Sequence, residues 1–110
     1  MSFEFDNSKN KNHLLDSLIQ ELRSSSSISN NGKMKSTILK SFITTGLVFN
    51  FDLKTQVDIC KVYDNIKKYN KIYDNKNNSN FANIIKMKHD LRDQLYKLSK
   101  DLESIKSSSS

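Results

Sequence analysis

The chain has 110 residues, a net charge of +6 and a mean hydropathy of −0.65. This length suits one small domain and is short for an enzyme that encloses a pocket. The sequence has no Pro and only two Gly, so it lacks the frequent turn signals that β-sandwiches and barrels need. We therefore expect an all-α fold, and the 30 Leu, Ile, Val and Phe residues suffice for a core.

Neither a long apolar run nor a signal-peptide pattern is present. The single cysteine, Cys60, permits no disulfide within the chain. These features predict a cytosolic or nuclear protein without a transmembrane segment.

The basic residues are spread along the chain, and 16 of the 18 are lysines. Nucleic-acid sites concentrate positive charge on one face and favour arginine for bidentate phosphate contacts. The pattern is more typical of a solvated surface, so we do not favour nucleic acid as the partner. Binding of nucleic acid or of an acidic membrane surface through Lys61–Lys76 is nevertheless kept as the alternative function.

Two short amphipathic helices are predicted in the first half, after a disordered N-terminus over residues 1–11. The first covers about 12–23, where the apolar residues Leu14, Leu15, Leu18, Ile19 and Leu22 have helical spacing. A Ser-rich linker near 24–32 leads to the second helix, at about 33–45. Gly46 lies where a left-handed cap would end that helix.

The segment Leu47 to Leu53 alternates apolar and polar residues over a short span. This alternation is typical of a strand, but a single strand would leave its backbone groups unpaired. We therefore prefer an extended connector with its Phe residues as buried anchors, and the strand remains the alternative.

A longer helix is predicted at about 53–73, with Asp52 at its N-cap. Its apolar residues follow the three–four spacing of a coiled-coil seam: Ile59, Val62, Ile66, Tyr69 and Tyr73. The polar loop 74–80 lets the chain reverse into an antiparallel hairpin, although one long bent helix is also compatible.

The last helix is predicted at about 80–106, followed by a disordered tail at 107–110. Its apolar stripe is about 33 Å long, which exceeds the length of the preceding seam. We therefore predict a coiled-coil surface that binds the helices of other subunits through six residues: Met87, Leu91, Leu95, Leu98, Leu102 and Ile105.

The residues Met87 to Leu91 read M-K-x-D-L. This motif resembles the signature of the KxDL family, small coiled-coil subunits of the BLOC-one-related complex, which acts in lysosome positioning and endosomal organisation. The resemblance implies a rod-like helical protein without catalytic activity that works with sister subunits, peripherally on endosomes or lysosomes. The motif positions correspond to Lys88, Asp90 and Leu91.

No residues with the spacing of a catalytic, cofactor or metal site are recognisable. His13 and His89 are far apart and lack further ligands nearby, and Cys60 is read as a small packed side chain. The favoured function is a non-enzymatic helical subunit of a hetero-oligomeric assembly within a single helical domain, 12–106. An autonomous small bundle remains a third possibility.

Overall fold

The computed structural model describes residues 8–27, 32–75 and 81–108. All regular structure in these ranges is helical, which confirms the predicted all-α class. The elements are α1 (Ser8–Ser26), α2 (Thr37–Thr44), a 3₁₀ turn (Leu47–Asn50), α3 (Leu53–Asp74) and α4 (Phe81–Ser108). None of the described helices is both long and apolar enough to cross a membrane.

The four α-helices run alternately up and down, and each contacts its neighbours in a ring. Asp16 pairs with Lys106, whereas Ser26 at the other end of α1 accepts a hydrogen bond from Arg92, so α1 and α4 are antiparallel. Asn65 of α3 donates to Gln94 of α4 at 2.8 Å. The predicted hairpin is therefore present, but α1 lies along α4 as a further long neighbour.

The short helix α2 is held at its start by polar side chains of α1 and α3. The Glu21 carboxylate accepts hydrogen bonds from the backbone N–H groups of Ile38 and Leu39 at 3.0 and 2.9 Å. The Asn70 amide bonds both backbone groups of Met34, at 2.8 and 2.9 Å. Because Ser36 makes no side-chain cap, Glu21 takes over that role from another helix.

Helix α1 is longer than predicted at both ends. It begins at Ser8, inside the range expected to be disordered, and continues to Ser26, inside the expected linker. The Ser25 side chain is buried and donates to the Lys35 carbonyl oxygen at 3.2 Å, while Ser26 donates to the Arg23 carbonyl oxygen. Tertiary contacts thus outweigh the poor helix propensity of serine.

Helix α4 ends at Ser108, two residues into the range predicted as a disordered tail. The other residues on which disorder or linkers were predicted, 1–7, 28–31, 76–80 and 109–110, lie outside the described residues.

The segment after α2 is neither a strand nor an extended connector. Gly46 adopts the predicted left-handed conformation (φ 82°), and a 3₁₀ turn follows. This turn directs Val48 into the core and leaves Phe49 exposed, so the prediction of Phe49 as a buried anchor is wrong. Phe51 is half-buried and stacks on Phe42 with 6.1 Å between ring centroids.

The inner face of α3 agrees with the sequence pattern. Asp52 occupies the N-cap position as predicted, but its side chain makes no cap hydrogen bond to the helix; interaction with the Thr55 hydroxyl lowers the pKa of its carboxyl. The first four seam residues are buried and Tyr73 is half-buried: Ile59, Val62, Ile66, Tyr69 and Tyr73. The pattern therefore predicted which side of α3 meets the core.

Candidate interaction surface

The apolar stripe of α4 forms the core of the molecule and is not an open surface. The four central leucines of the predicted partner-binding set are at most 3% exposed: Leu91, Leu95, Leu98 and Leu102. Met87 and Ile105, at the ends of the stripe, are half-buried. Helices α1 and α3 cover α4 from two sides, so these residues pack within the chain and do not form the exposed seam that the sequence predicted.

From the sequence, the two short N-terminal helices are expected to cover only part of the stripe, and another polypeptide the rest. Helix α1 has 19 residues, or about 28 Å, and its buried face packs along α4. Residues Leu15, Leu18, Ile19 and Leu22 of this face are at most 5% exposed. These residues lie within the predicted helix, so α1 itself covers the part of the stripe that the sequence assigned to a second polypeptide.

A different line of α4 faces α1, and it extends past the end of that helix. Arg92, Glu103 and Lys106 on this line bond α1. The same helical spacing, continued toward the start of α4, reaches Ile85 and Phe81. Since α1 ends at Ser26, beside Arg92, it does not cover these two residues.

Phe81 is 60% exposed and Ile85 is 43% exposed. Residues four apart on a helix are neighbours on its surface, so the pair forms one apolar area, called here the α4 patch. The spacing of the core stripe does not predict this area. The signal was a second line at helical spacing, through Phe81, Ile85, Lys88, Arg92, Ser99, Glu103 and Lys106.

The three residues of the KxDL-like motif have different environments. Leu91 is buried in the core, Lys88 is half-buried and Asp90 is exposed. Lys88 lies on the side of α4 that carries the patch, whereas the helix period places Asp90 on the other flank of the helix.

The side of α3 that faces away from the bundle carries the second exposed apolar area. Leu53 and Val57 are 73% and 48% exposed, and Phe49, in the preceding turn, is 73% exposed. Cys60 follows one turn later and is exposed, which contradicts its prediction as a packed side chain. We call this side of α3, from Leu53 to Lys71, the α3 outer face.

The second half of the α3 outer face is basic. Lys61, Lys67, Lys68 and Lys71 are all exposed. Asp64 is the acidic residue among them, and it pairs with Lys68 at 3.4 Å. Lys76, the end of the basic segment proposed from the sequence, lies outside the described residues.

A shallow groove of about 420 Å³ lies between α3 and α4. Charged residues of both signs line it: Lys54, Asp58, Lys61, Lys97 and Asp101. Lys54 bonds Asp58 at 3.1 Å, which raises the pKa of Lys54. A groove with this mixture of charges selects neither an anion nor a cation.

The described residues contain no group of three or more His, Cys, Asp or Glu side chains that could hold a metal ion. His13 and His89 are exposed and lie on different helices. The two histidines therefore do not form a joint site in the described bundle.

These features define a small up-down-up-down helical bundle with two exposed apolar areas. Comparisons with protein-family models, with curated proteins and with solved structures yielded no match to the chain.

Proposed function

We propose that the protein is a non-enzymatic helical interaction subunit of a multi-protein assembly, and that it binds an amphipathic helix of a partner on the α4 patch. The proposal rests on one observation. The line of α4 residues that contacts α1 continues past the end of α1 to Phe81 and Ile85, and both of these side chains are exposed.

Helix α1 indicates what kind of partner fits. It binds the same line of α4 with apolar residues toward the core and charged residues at the rim, as in the Arg23–Glu103 and Asp16–Lys106 pairs. A partner helix placed end to end with α1 would extend this packing over the first turns of α4. Full burial of a side chain such as Phe or Ile contributes about 1.5–3 kcal/mol, enough for a central anchor of a modest interface.

The KxDL resemblance extends this proposal to a cellular setting. Lys88 lies on the side of α4 that carries the patch, where it would form part of a polar rim beside the apolar centre. We propose sister subunits of an endosome- or lysosome-associated complex as the partners. Co-localisation of the tagged chain with endosomal and lysosomal markers tests this part, and a diffuse distribution insensitive to changes in the α4 patch would contradict it.

The binding surface is tested by affinity purification of the tagged chain at moderate and high salt. We expect a fixed set of proteins that withstands high salt, because apolar contacts are not weakened by it. The double variant Phe81→Asp/Ile85→Asp should lose this set while retaining its helical circular dichroism, since both side chains lie outside the core.

The matched control is Leu53→Asp/Val57→Asp, which makes two apolar-to-acidic changes on the opposite side of the hairpin. This variant should retain the set. Retention by the Phe81→Asp/Ile85→Asp variant, or equal loss by both variants, would overturn the assignment of the α4 patch.

A further inference from the structure

The α3 outer face divides into an apolar first half and a basic second half. We propose that this face binds an anionic membrane surface, with the apolar residues at the headgroup–acyl boundary and the lysines on the lipid headgroups. The proposal concerns a different surface from the α4 patch and does not depend on the proposed protein partner.

Helix geometry places both halves on one side of the molecule. Leu53, Val57, Asp64 and Lys71 recur at intervals of four or seven residues, so they follow one line along α3. This line is opposite the buried residues of the same helix, and it extends for about 27 Å. A membrane in contact with it would meet α3 lying flat, as in amphipathic helices at membrane interfaces.

The apolar half supplies the contacts that reach beyond the headgroups. Phe49 and Leu53 are each 73% exposed, whereas the other leucines of the described bundle are buried or half-buried. Val57 continues the area by one turn. Apolar side chains at the surface of a charged helix are the groups that enter the interfacial region.

The basic half supplies the electrostatic attraction. This half contains four exposed lysines and one aspartate, Asp64. The long lysine side chains can extend their charged ends toward headgroups while their methylene stems contact apolar surface. Lys67 lies over the Tyr63 ring at 5.2 Å from its centroid. Polybasic segments beside apolar residues are attracted to anionic leaflets in this way.

The same face is less suited to nucleic acid. Its positive charges are all lysine, which lacks the fork of donors that arginine offers to phosphate. Tyr69 is 1% exposed and Tyr63 is half-buried beneath Lys67, so neither presents a free ring face on which a base could stack. The exposed aromatic residue, Phe49, lies at the apolar end, away from the lysines.

Vesicle flotation tests the proposal with the full chain and vesicles of phosphatidylcholine, with or without phosphatidylserine. We expect binding only to vesicles that contain phosphatidylserine, and weaker binding as salt rises. Leu53→Asp/Val57→Asp should abolish flotation. Lys67→Glu/Lys71→Glu should weaken it by about tenfold or more, since each lysine near the surface contributes separately.

The matched control is Lys86→Glu/Lys100→Glu, which changes the net charge equally at exposed positions of α4. It should retain most of the binding, and equal loss would show that net charge alone is responsible. Phe81→Asp/Ile85→Asp should bind vesicles normally, which separates this test from that of the protein partner. Absence of flotation with phosphatidylserine would overturn the proposal.

The orientation of α3 is tested with a polarity-sensitive fluorophore on Cys60, the single cysteine of the chain. We expect a blue-shifted and stronger emission with phosphatidylserine vesicles. The control is Cys60→Ser/Lys100→Cys, whose label on α4 should remain unshifted. Binding of single-stranded RNA that is lost in Lys67→Glu/Lys71→Glu but unchanged in Leu53→Asp/Val57→Asp, together with an unshifted Cys60 label, would favour nucleic acid instead.

Discussion

Individual side chains on α4 differ sharply in environment even where they adjoin in sequence. Leu95 is fully buried, whereas its neighbour Tyr96 is 54% exposed. The difference follows from the 100° step between consecutive helix residues, which turns one toward the core and the other outward. A change at Leu95 therefore tests folding, and it cannot serve as a clean test of partner binding.

We expect Leu95→Ala to lower the free energy of unfolding by about 2–5 kcal/mol, because it removes buried methyl groups and leaves a cavity. Urea denaturation followed by circular dichroism measures the effect. Tyr96→Ala is the matched control and should change the free energy by about 0.5 kcal/mol or less. Similar losses for both variants would contradict the burial of the stripe.

Tyr69 predicts how stability depends on alkaline pH. Burial raises the pKa of its phenol above the ordinary value of 10.0, so the unfolded chain loses this proton at lower pH than the folded chain. The neutral Tyr69 phenol therefore makes its full contribution to the free energy of unfolding below the ordinary pKa, and this contribution is lost as pH rises through the raised pKa. Urea titrations across this range should show falling stability in the wild type and a smaller fall in Tyr69→Phe. An unchanged slope in that variant would contradict the assignment, and Tyr96→Phe is the exposed control.

At the scale of elements, the eight residues of α2 are too few to hold a helix alone. Its position depends on contacts from α1 and α3. Among the groups that make these contacts, the Glu21 carboxylate takes the role of an N-cap, because it accepts hydrogen bonds from the first backbone N–H groups of α2. A sequence pattern identifies caps within about four residues of a helix start, whereas Glu21 precedes α2 by 16 residues. This contact was therefore not predictable from local sequence.

Replacing Glu21 with Ala should lower the free energy of unfolding by about 1–2 kcal/mol, as loss of an N-cap does. Glu21→Gln keeps an acceptor oxygen and should lose less. Thermal and urea denaturation measure both effects, with the exposed neighbour change Gln20→Ala as the control. A loss from Gln20→Ala as large as that from Glu21→Ala would indicate a general effect on α1 propensity.

For the whole molecule, the decisive feature is that α1 and α3 cover α4 together. The described bundle buries Leu18 and Leu102 completely and Leu22 almost completely. Separation of α1 from the bundle would expose the α4 stripe, which the sequence predicted as the contact with other subunits. The same residues thus form a core or an aggregation-prone surface, according to whether α1 is in place.

We expect the wild-type chain to be folded as a monomer and Leu18→Asp/Leu22→Asp to self-associate, because two buried charges would displace α1. Sedimentation velocity and binding of a hydrophobic dye measure the change. Gln20→Asp, an exposed change on the same helix, should remain monomeric. A monomeric double variant without dye binding would contradict the role of α1 as cover.

Much of the fold follows from the sequence itself. The spacing of apolar residues in α3 and α4 determined which faces are buried, because helix period and hydrophobic burial are local properties. The ends of α3, the left-handed Gly46 and the hairpin were predictable for the same reason. The ends of α1 were not, since Ser25 is stabilised by a contact with residue 35.

The candidate surfaces required the tertiary structure. Periodicity shows that Leu91 to Leu102 must be covered, but several elements can supply that cover, and only the packed bundle shows that α1 does so. The exposure of Phe81 and Ile85 likewise depends on where α1 ends along α4, and that of Phe49 on a 3₁₀ turn. The spacing of apolar residues is a local property, and it shows which side chains favour burial. Whether each of them is buried depends on the relative lengths and positions of the helices, because burial requires contacts between distant parts of the chain.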